Sequence, residues 1–547
     1  MGIYLNSMAA YDAYKEIFEG TYFVDKSLMI EDILTSMKNA EKYICVTRPR
    51  RFGKSVMANM LACFFSRGCS SSAIFTNLKI AKIMSENAEL GKNMNQHNVI
   101  HISFNRLPRR CRNYGQYIDR IENTLICDFI EAYPNVPIHP DDAVWDALIK
   151  IYHADNTARF IFILDEWDFI FHRNFVTEQD KADYIGFLSN LLKDMPYVSL
   201  AYMTGILPIA KYSSGSELNM FAEYTMASEE LYSEFFGFTD TEVDRLYEKY
   251  LQHQLAPSVP REGLRTWYDG YHTKSGERVY NPRSVVLSLT NNNLGNYWTS
   301  AGPYDEIYYY VSHNISAIRD DLAQMIAGIP VPAKVREYAA VSLNLSTRDE
   351  IFSAMVVYGF LSYENGYVMI PNKELMDKFN EMLMKEASLG YVHQLAAVSD
   401  RMLKATLNRD SDKVAEIMKY AHDTESPLLQ YNSESELTVL VALVYLAARD
   451  SYRIEREDKA GVGYADFIFY PDVNPAADGI ILELKVDHSA EEALEQIKER
   501  GYVLKFQGRL GEAAKYTGRI LGVGIAYDRK TKKHTCKIEV LRAALRS

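Results

Sequence analysis

Residues 461–486 read GVGYADFIFYPDVNPAADGIILELKV, and the organisation of the C-terminal part of the chain follows from them. Two β-rich runs flank a turn containing Pro471, Asp472, Asn474, Pro475 and Gly479. Side chains alternate along a strand, so Glu483 and Lys485 share one face while Leu482 and Leu484 take the other. The first run contributes Asp466. A charged pair at the end of a run as apolar as Gly479-Ile480-Ile481-Leu482 costs desolvation unless something compensates. A divalent cation held by Asp466, Glu483 and a main-chain carbonyl would do so, with Lys485 steadying an attacking hydroxide or a phosphate oxygen. An amphipathic hairpin with a surface Glu–Lys pair accounts for the same three residues without any chemistry, so the neighbouring sequence has to decide.

Immediately downstream, Ser489 and Glu492 form the S-x-x-E pattern of a capping box. The helix it opens, Ala490–Gly501, turns Ala493 and Ile497 to the sheet with Gln496 between them, and Tyr502 follows. Further on, ILGVGIAYD and HTCKIEVL read as a closing hairpin that extends the sheet. Asp466 with Glu483-x-Lys485 resembles the PD-(D/E)XK nuclease core. The resemblance implies that Asp466 and Glu483 bind metal and that Lys485 is catalytic. It also implies that Gln496 helps hold the lysine or the phosphate, and that a glutamate opening the upstream helix over 437–450 faces the metal. Glu434 is the residue it aligns there, with Glu436 the alternative.

Toward the N-terminus, residues 43–55 read YICVTRPRRFGKS, an apolar run, a turn and then Gly53-Lys54-Ser55 before a helical pattern. In a phosphate-binding loop the main-chain N–H groups and the helix N-terminus cradle anionic oxygens. Lys54 would reach the β- and γ-phosphates, and the Ser55 hydroxyl would bind magnesium. Arg48 occupies the first glycine position of the usual G-x-x-x-x-G-K-[ST] pattern. Residues 159–168, RFIFILDEWD, are an apolar run ending in acids, as a buried central strand delivers at its C-terminal edge. Asp165 would hold magnesium through water and Glu166 would orient the attacking water. Val99–Phe104 and Val198–Ile206 are further strand candidates, and Thr204 ends the latter where it could sense the γ-phosphate. Strands alternating with helices imply a parallel sheet.

The series TRPRRFGKS, LDEWD, TGILPIAK, Leu218-Asn219, GFTDTEV, WYDGYH, YNPRSV and then the Ala465-Asp466 and LELK pair resembles, in order as well as content, the AAA-ATPase-like proteins of bacteria and their relatives. The likeness covers nearly the whole chain. It implies that Arg48 in place of the first loop glycine is shared by the family; Trp167 stands where tyrosine is usual. It further implies ATP and Mg2+ as cofactors, held by Arg51, Phe52, Gly53, Lys54, Ser55, Asp165 and Thr204, with Glu166 catalytic. The expected fold class is α/β: an N-terminal P-loop (AAA-like) parallel sheet with helices over 1–245, a helical lid with a winged-helix-like segment over 246–400, and a C-terminal mixed α/β PD-(D/E)XK nuclease-like domain over 401–547.

Between these ends, Thr239 reads as a helix N-cap with Glu242 three residues on, and Ala256–Gly263 breaks the pattern. The aromatic stretches at 267–272 and 280–284 could contact a nucleotide, but such density usually means core. Arg283 is a candidate second sensor of the γ-phosphate. Residues 349–380 predict helix, hairpin and helix, with Asn365-Gly366 as the turn, resembling a winged-helix lid. Residues 380–387 are amphipathic, and a helical connector spans 401–423.

A chain of 547 residues, 48% hydrophobic, has room for three or four domains. Its six cysteines show no C-x-x-C spacing, which argues against a structural zinc or a disulfide framework and fits a reducing interior. The apolar run Leu437–Ala448 is too short to span a bilayer, the first residues lack a secretory pattern, and Gly2 has Asn6 where myristoylation wants a hydroxyl. The expectation is a soluble, cytoplasmic protein without a membrane partner. A net charge of −12 argues against wholesale coating of nucleic acid, so phosphate contact must be local. Two basic clusters stand out, Arg48 to Arg51 and Arg109-Arg110 with Arg112; a solvated face explains either equally well. The leading expectation is an ATP-binding switch or ATPase joined to a magnesium-dependent nuclease-like domain acting on nucleic acid, DNA before RNA, with the oligomeric state open. The alternatives are an ATP-controlled nucleic-acid or protein binding module on a non-catalytic nuclease fold, and an ATPase that remodels a partner.

Overall fold

Four largely apolar runs and one short edge strand build the first sheet: β1 Tyr43–Thr47, β2 Asn98–Ser103, β3 Phe160–Asp165, β4 Val198–Gly205 and, at the edge, β5 Ala222–Tyr224. The computed structural model describes residues 2–545 apart from 210–216, 227–230, 299–314, 336–346, 386–388, 424–433, 457–464, 473 and 507–515. The strands lie in the order β2-β3-β4-β1-β5 with every neighbouring pair parallel. Every residue of β3 is buried. Phe160, Phe162 and Leu164 enter one core with Tyr117 and Tyr184, while Ile161 and Ile163 enter another with Leu61 and Phe64. A sheet covered on both faces explains why the central strand β3 is a continuous apolar run. Because β1, β4 and β3 are adjacent, the loop after β1 and the acidic end of β3 share one edge, where ligands bind in open α/β sheets.

Helix α1, Lys54–Phe65, follows β1, with Gly53 as its N-cap at φ 93. α2, Tyr114–Ala132, is capped by Asn113, which accepts from the Gln116 amide. The expected Thr239 cap opens α3, Asp240–His253, as a complete capping box with Glu242. Pro282 starts α4, Pro282–Asn291, behind an Asn281 cap, as a proline at the first helical position should. Tyr268, Tyr271 and Tyr280 are buried, so the aromatic stretches are core. Gly270 is required there: at φ 106, a Cβ would lie 1.9 Å from the Pro371 carbonyl oxygen. The helix, hairpin and helix expected over 349–380 appear as α5 (Arg348–Tyr358), strands Ser362–Glu364 and Tyr367–Met369, and α6 (Lys373–Lys385). Asn365 and Gly366 hold φ 50 and 88, as the tight turn between them demands.

The C-terminal sheet follows α7, Glu434–Val444. It orders β6 (Tyr452–Glu455), β7 (Phe467–Pro471), β8 (Gly479–Val486), β9 (Ile520–Asp528) and β10 (Lys533–Arg542) in sequence. Only β8 and β9 pair in parallel, the other neighbours being antiparallel. The parallel pair needs a crossover, which α8, Ala490–Glu499, supplies by laying Leu494 and Ile497 on Ile468 and Ile481. The chain falls into two compact units. One comprises Met1–Gly302, Ala333–Tyr367 and Pro371–Glu374; the other comprises Pro303–Pro332, Val368–Ile370 and Leu375–Ser547. All six cysteines are free. Among the described residues no helix is long and apolar enough to cross a membrane.

Candidate functional site

β7 and β8 pair so that Phe467 faces Leu482 and Ile468 faces Ile481. One step further, the same register sets Asp466 beside Glu483. Asp466 Oδ2 accepts the Leu484 amide at 2.8 Å, which fixes that carboxylate at the mouth of the ladder. Glu483 is 2% exposed, on the sheet face that α8 covers. Its Oε1 accepts from Lys485 Nζ at 3.3 Å and from Gln496 Nε2. Its Oε2 is buried and receives no hydrogen bond among the described residues. Burial, and then the charge of Asp466, push the Glu483 carboxyl up to about 8 against the pull of Lys485.

Four of the residues expected at this site are therefore gathered: Asp466, Glu483, Lys485 and Gln496. Glu434 opens α7, but its side chain and residues 461–464 lie outside the described residues. Among the described residues no group of three His, Cys, Asp or Glu side chains is assembled for a metal; the described donors are two carboxylates. Those donors are hard oxygens, which suit magnesium, and the unsatisfied Oε2 is an acceptor that a cation would satisfy. Ser489 caps α8 by accepting the Glu492 amide at 3.1 Å. The helix ends at Glu499 rather than Gly501, which closes it at φ 63.

The sequence reading missed Gly524. It is the register partner of Glu483 on β9, and a Cβ there would lie 2.2 Å from the Ala490 carbonyl oxygen. A side chain at this position would lift the helix that carries Gln496. The available signal was the alternation of Gly522 and Gly524 inside a strand, which marks close backbone approach.

In the first unit, Arg48 turns inward. Its Nη1 donates to the Thr47 and Tyr224 carbonyls at 2.8 Å each, and its guanidinium lies 5.1 Å from the centre of the Phe236 ring. It ties the start of the loop to β5. The loop then passes through Arg51 at φ 68 and Gly53 at φ 93. Phe52 is buried edge-on against Tyr271, 4.9 Å between ring centres, so its side chain anchors the loop and leaves only its main chain for a phosphate. Lys54 Nζ donates to Arg48 O at 2.8 Å and Pro49 O at 2.9 Å. Burial lowers this ammonium to about 8, while Asp168, Asp165 and Glu166 oppose the shift. The lysine and the acidic strand end are thus electrostatic neighbours. Ser55 is half-buried in the first turn of α1.

At the end of β4, the Thr204 hydroxyl donates to Asp165 Oδ1 at 2.5 Å in a buried contact. Glu166 holds φ 54, a left-handed conformation costly for a residue with a side chain. Burial and Asp165 raise its carboxyl, and a hydrogen bond with Asn105 opposes them. Asp168, passed over in the sequence, accepts the Ile206 and Leu207 amides at 2.9 and 2.8 Å and so fixes the turn after β4. Arg283 acts electrostatically on Arg51, which places α4 near the loop. Also unforeseen is Glu374, 2% exposed, which accepts the Tyr297 and Trp298 amides at 2.6 and 2.5 Å and the Ser284 hydroxyl at 2.9 Å. No local pattern announces it, because its partners are some eighty positions away.

Two parts of the chain match known protein families. Residues 10–214 match the family described as Predicted AAA-ATPase, and residues 433–534 match the PD-(D/E)XK nuclease superfamily. A protein of Azotobacter chroococcum mcd 1, described as an uncharacterized protein in the vnfD 5'region, is 23% identical over 551 residues, spanning 95% of this chain and 96% of that one. Among solved structures, a Walker-type ATPase of Pyrococcus abyssi aligns with a TM-score of 0.37 and 12% identity, over 65% of this chain and 95% of that one. The Aeropyrum pernix ORC2 protein, solved in ADPNP–ADP complexes, aligns with a TM-score of 0.35 and 10% identity, over 67% of this chain and 97% of that one. The chain joins an AAA-ATPase-like domain to a domain of the PD-(D/E)XK nuclease superfamily.

Proposed function

We propose that this protein is a nucleotide-controlled, magnesium-dependent nuclease acting on nucleic-acid phosphodiesters. In this reading residues 1–245 form the switch, 246–400 the lid and 401–547 the cutting module. The observation that carries it is the buried, unsatisfied Glu483 Oε2, set beside Asp466 while Lys485 and Gln496 occupy the other oxygen. Asp466 and Glu483 would hold a divalent cation, which when bound supplies Lewis-acid stabilisation and a more acidic water. Asp466 is oriented by the Leu484 amide. Gln496 keeps Glu483 from rotating away, and Lys485 presents a positive charge to a phosphoryl oxygen or to the attacking hydroxide. The family resemblance would add Glu434, or else Glu436, as a further carboxylate for the metal.

At the other site, the main-chain amides of Arg51, Phe52 and Gly53 and the ammonium of Lys54 would hold the phosphates of ATP. Ser55 and Asp165 would hold its magnesium, and Glu166 would orient water. Thr204 serves this site by fixing Asp165 rather than by reaching the nucleotide itself.

The test is cleavage of labelled DNA and RNA panels with magnesium or manganese, with and without ATP. Lys485→Ala and Asp466→Ala should lose activity by about 10²-fold or more, the scale seen when a transition-state charge loses its partner. Cleavage unchanged in either variant would sink the site assignment. Lys54→Ala should abolish nucleotide binding, and intact ATP affinity in that variant would remove the switch from the proposal.

A further inference from the structure

One exposed basic segment is used by neither site. Residues 106–112 read RLPRRCR, four arginines within seven positions of a chain whose net charge is −12. Arg106, Arg109, Arg110 and Arg112 are all exposed, and none forms an ion pair among the described residues. The segment is nonetheless built. The Cys111 amide donates to the Pro108 carbonyl at 3.2 Å, and Arg110 holds φ 61. The Arg112 amide donates to Gln116 Oε1 at 2.9 Å, and Arg120 Nη1 braces the Arg106 carbonyl at 3.1 Å. Four arginines without ion-pair partners give this exposed segment a local positive charge that a polyanion can meet. The patch is also bounded, because Asp183, Glu122, Asp180 and Asp119 act together on Tyr114 at the start of α2. Guanidinium forks match phosphate oxygens bidentately, and four of them along seven positions offer more contacts than one isolated anion can take.

The segment leaves β2 beside the nucleotide site. Ser103 is the ladder partner of Asp165, and the Phe104 amide donates to the Asp165 carbonyl at 3.0 Å. The Ser103 hydroxyl donates to Asn105 Oδ1 at 3.2 Å, and the Asn105 side chain hydrogen-bonds Glu166. Arg106 is the next residue. We infer that residues 106–112 bind the phosphate backbone of nucleic acid, and that Asn105 relays their occupancy to Glu166. The inference rests on the reading that the C-terminal module acts on nucleic acid.

The experiment uses the full chain carrying Glu483→Gln, so that nothing is cut, and a fluorescent duplex titrated between 50 and 200 mM salt, the range over which phosphate contacts report most strongly. Adding Arg109→Ala, Arg110→Ala and Arg112→Ala should make the log–log salt dependence shallower by about 2.7, three duplex contacts at about 0.9 each. An unchanged slope in a folded triple variant overturns the inference and leaves the nuclease reading standing. Binding of neither duplex nor single strand by any variant overturns both. Polyglutamate of matched charge should fail to displace the duplex; equal competition would reassign the surface to acidic peptides. Asn105→Ala should keep the salt slope but lose the change in ATP hydrolysis rate that duplex produces. A change that persists in this variant, or none in the parent, overturns the relay.

Discussion

At Glu483, burial beside another carboxylate sets the pH response. Its folded pKa is raised from the model-peptide 4.5 to about 8, so the folded state holds the proton more tightly than the unfolded chain. The stability this group contributes is complete below pH 4.5 and is lost as pH rises through about 8. Glu483→Gln keeps an uncharged acceptor for Lys485. In the absence of divalent cation, its melting temperature should overtake that of the parent as pH climbs from 5 to 9, and magnesium should narrow the gap by stabilising the parent alone. A gap that does not vary with pH would contradict the burial argument. Thr204→Val preserves shape but removes the hydroxyl from Asp165. The loss of a hydrogen bond to a buried carboxylate should cost about 1.5–3 kcal/mol, read from chemical denaturation, and should weaken nucleotide binding. The residue scale was also the hardest to read from sequence. That Arg48 stands where a loop glycine is usual was legible, but not that it reaches the Tyr224 carbonyl. A pattern fixes a position along the chain, whereas the direction of a long side chain depends on what the fold brings beside it.

Elements were far more legible, since each expected strand is an apolar run with a polar or glycine-rich stop, and burial on both faces produces that composition. Thr239 and Glu242 announced α3 through a local hydrogen-bond exchange that needs no tertiary partner. Close approach between elements is not local, and Gly524 shows the difference. Gly524→Ala drives a methyl group against a main-chain oxygen that cannot rotate away. It should destabilise the C-terminal sheet by about 1–3 kcal/mol in thermal unfolding and reduce cleavage by displacing Gln496. Gly186, inside the helix Glu178–Leu192, has nothing within 4 Å of where a Cβ would stand. Gly186→Ala should therefore stabilise the first unit by about 0.5–1 kcal/mol, the ordinary helix preference. A loss of stability there would mean that the helix surface is not open.

Over the whole molecule, two units each hold their own core, so each proposed ligand should protect its own. At a hundredfold excess over its dissociation constant a ligand adds about 2.7 kcal/mol to the state it binds. ATP should slow hydrogen exchange in β1, β3 and α1, and manganese in β7 and β8; protection in the opposite units would contradict the assignment of sites. The net charge of −12 points to local rather than general phosphate contact, and the inference above places that contact at residues 106–112. What composition could not show is that this basic segment sits one residue from the hydrogen bond to Glu166.

The braced ammonium of Lys54 has a calorimetric consequence. It titrates near 8, like the buried carboxyl of Glu483, but the two carry opposite charge when ionised. At pH 8 an arriving polyphosphate would draw protons from the buffer onto the amine, whereas an arriving cation would expel them from the acid, each by about half an equivalent. Titrations repeated in buffers of different ionisation heat should thus give slopes of opposite sign for ATP and for manganese, so the sign alone would report which half of the chain had been filled.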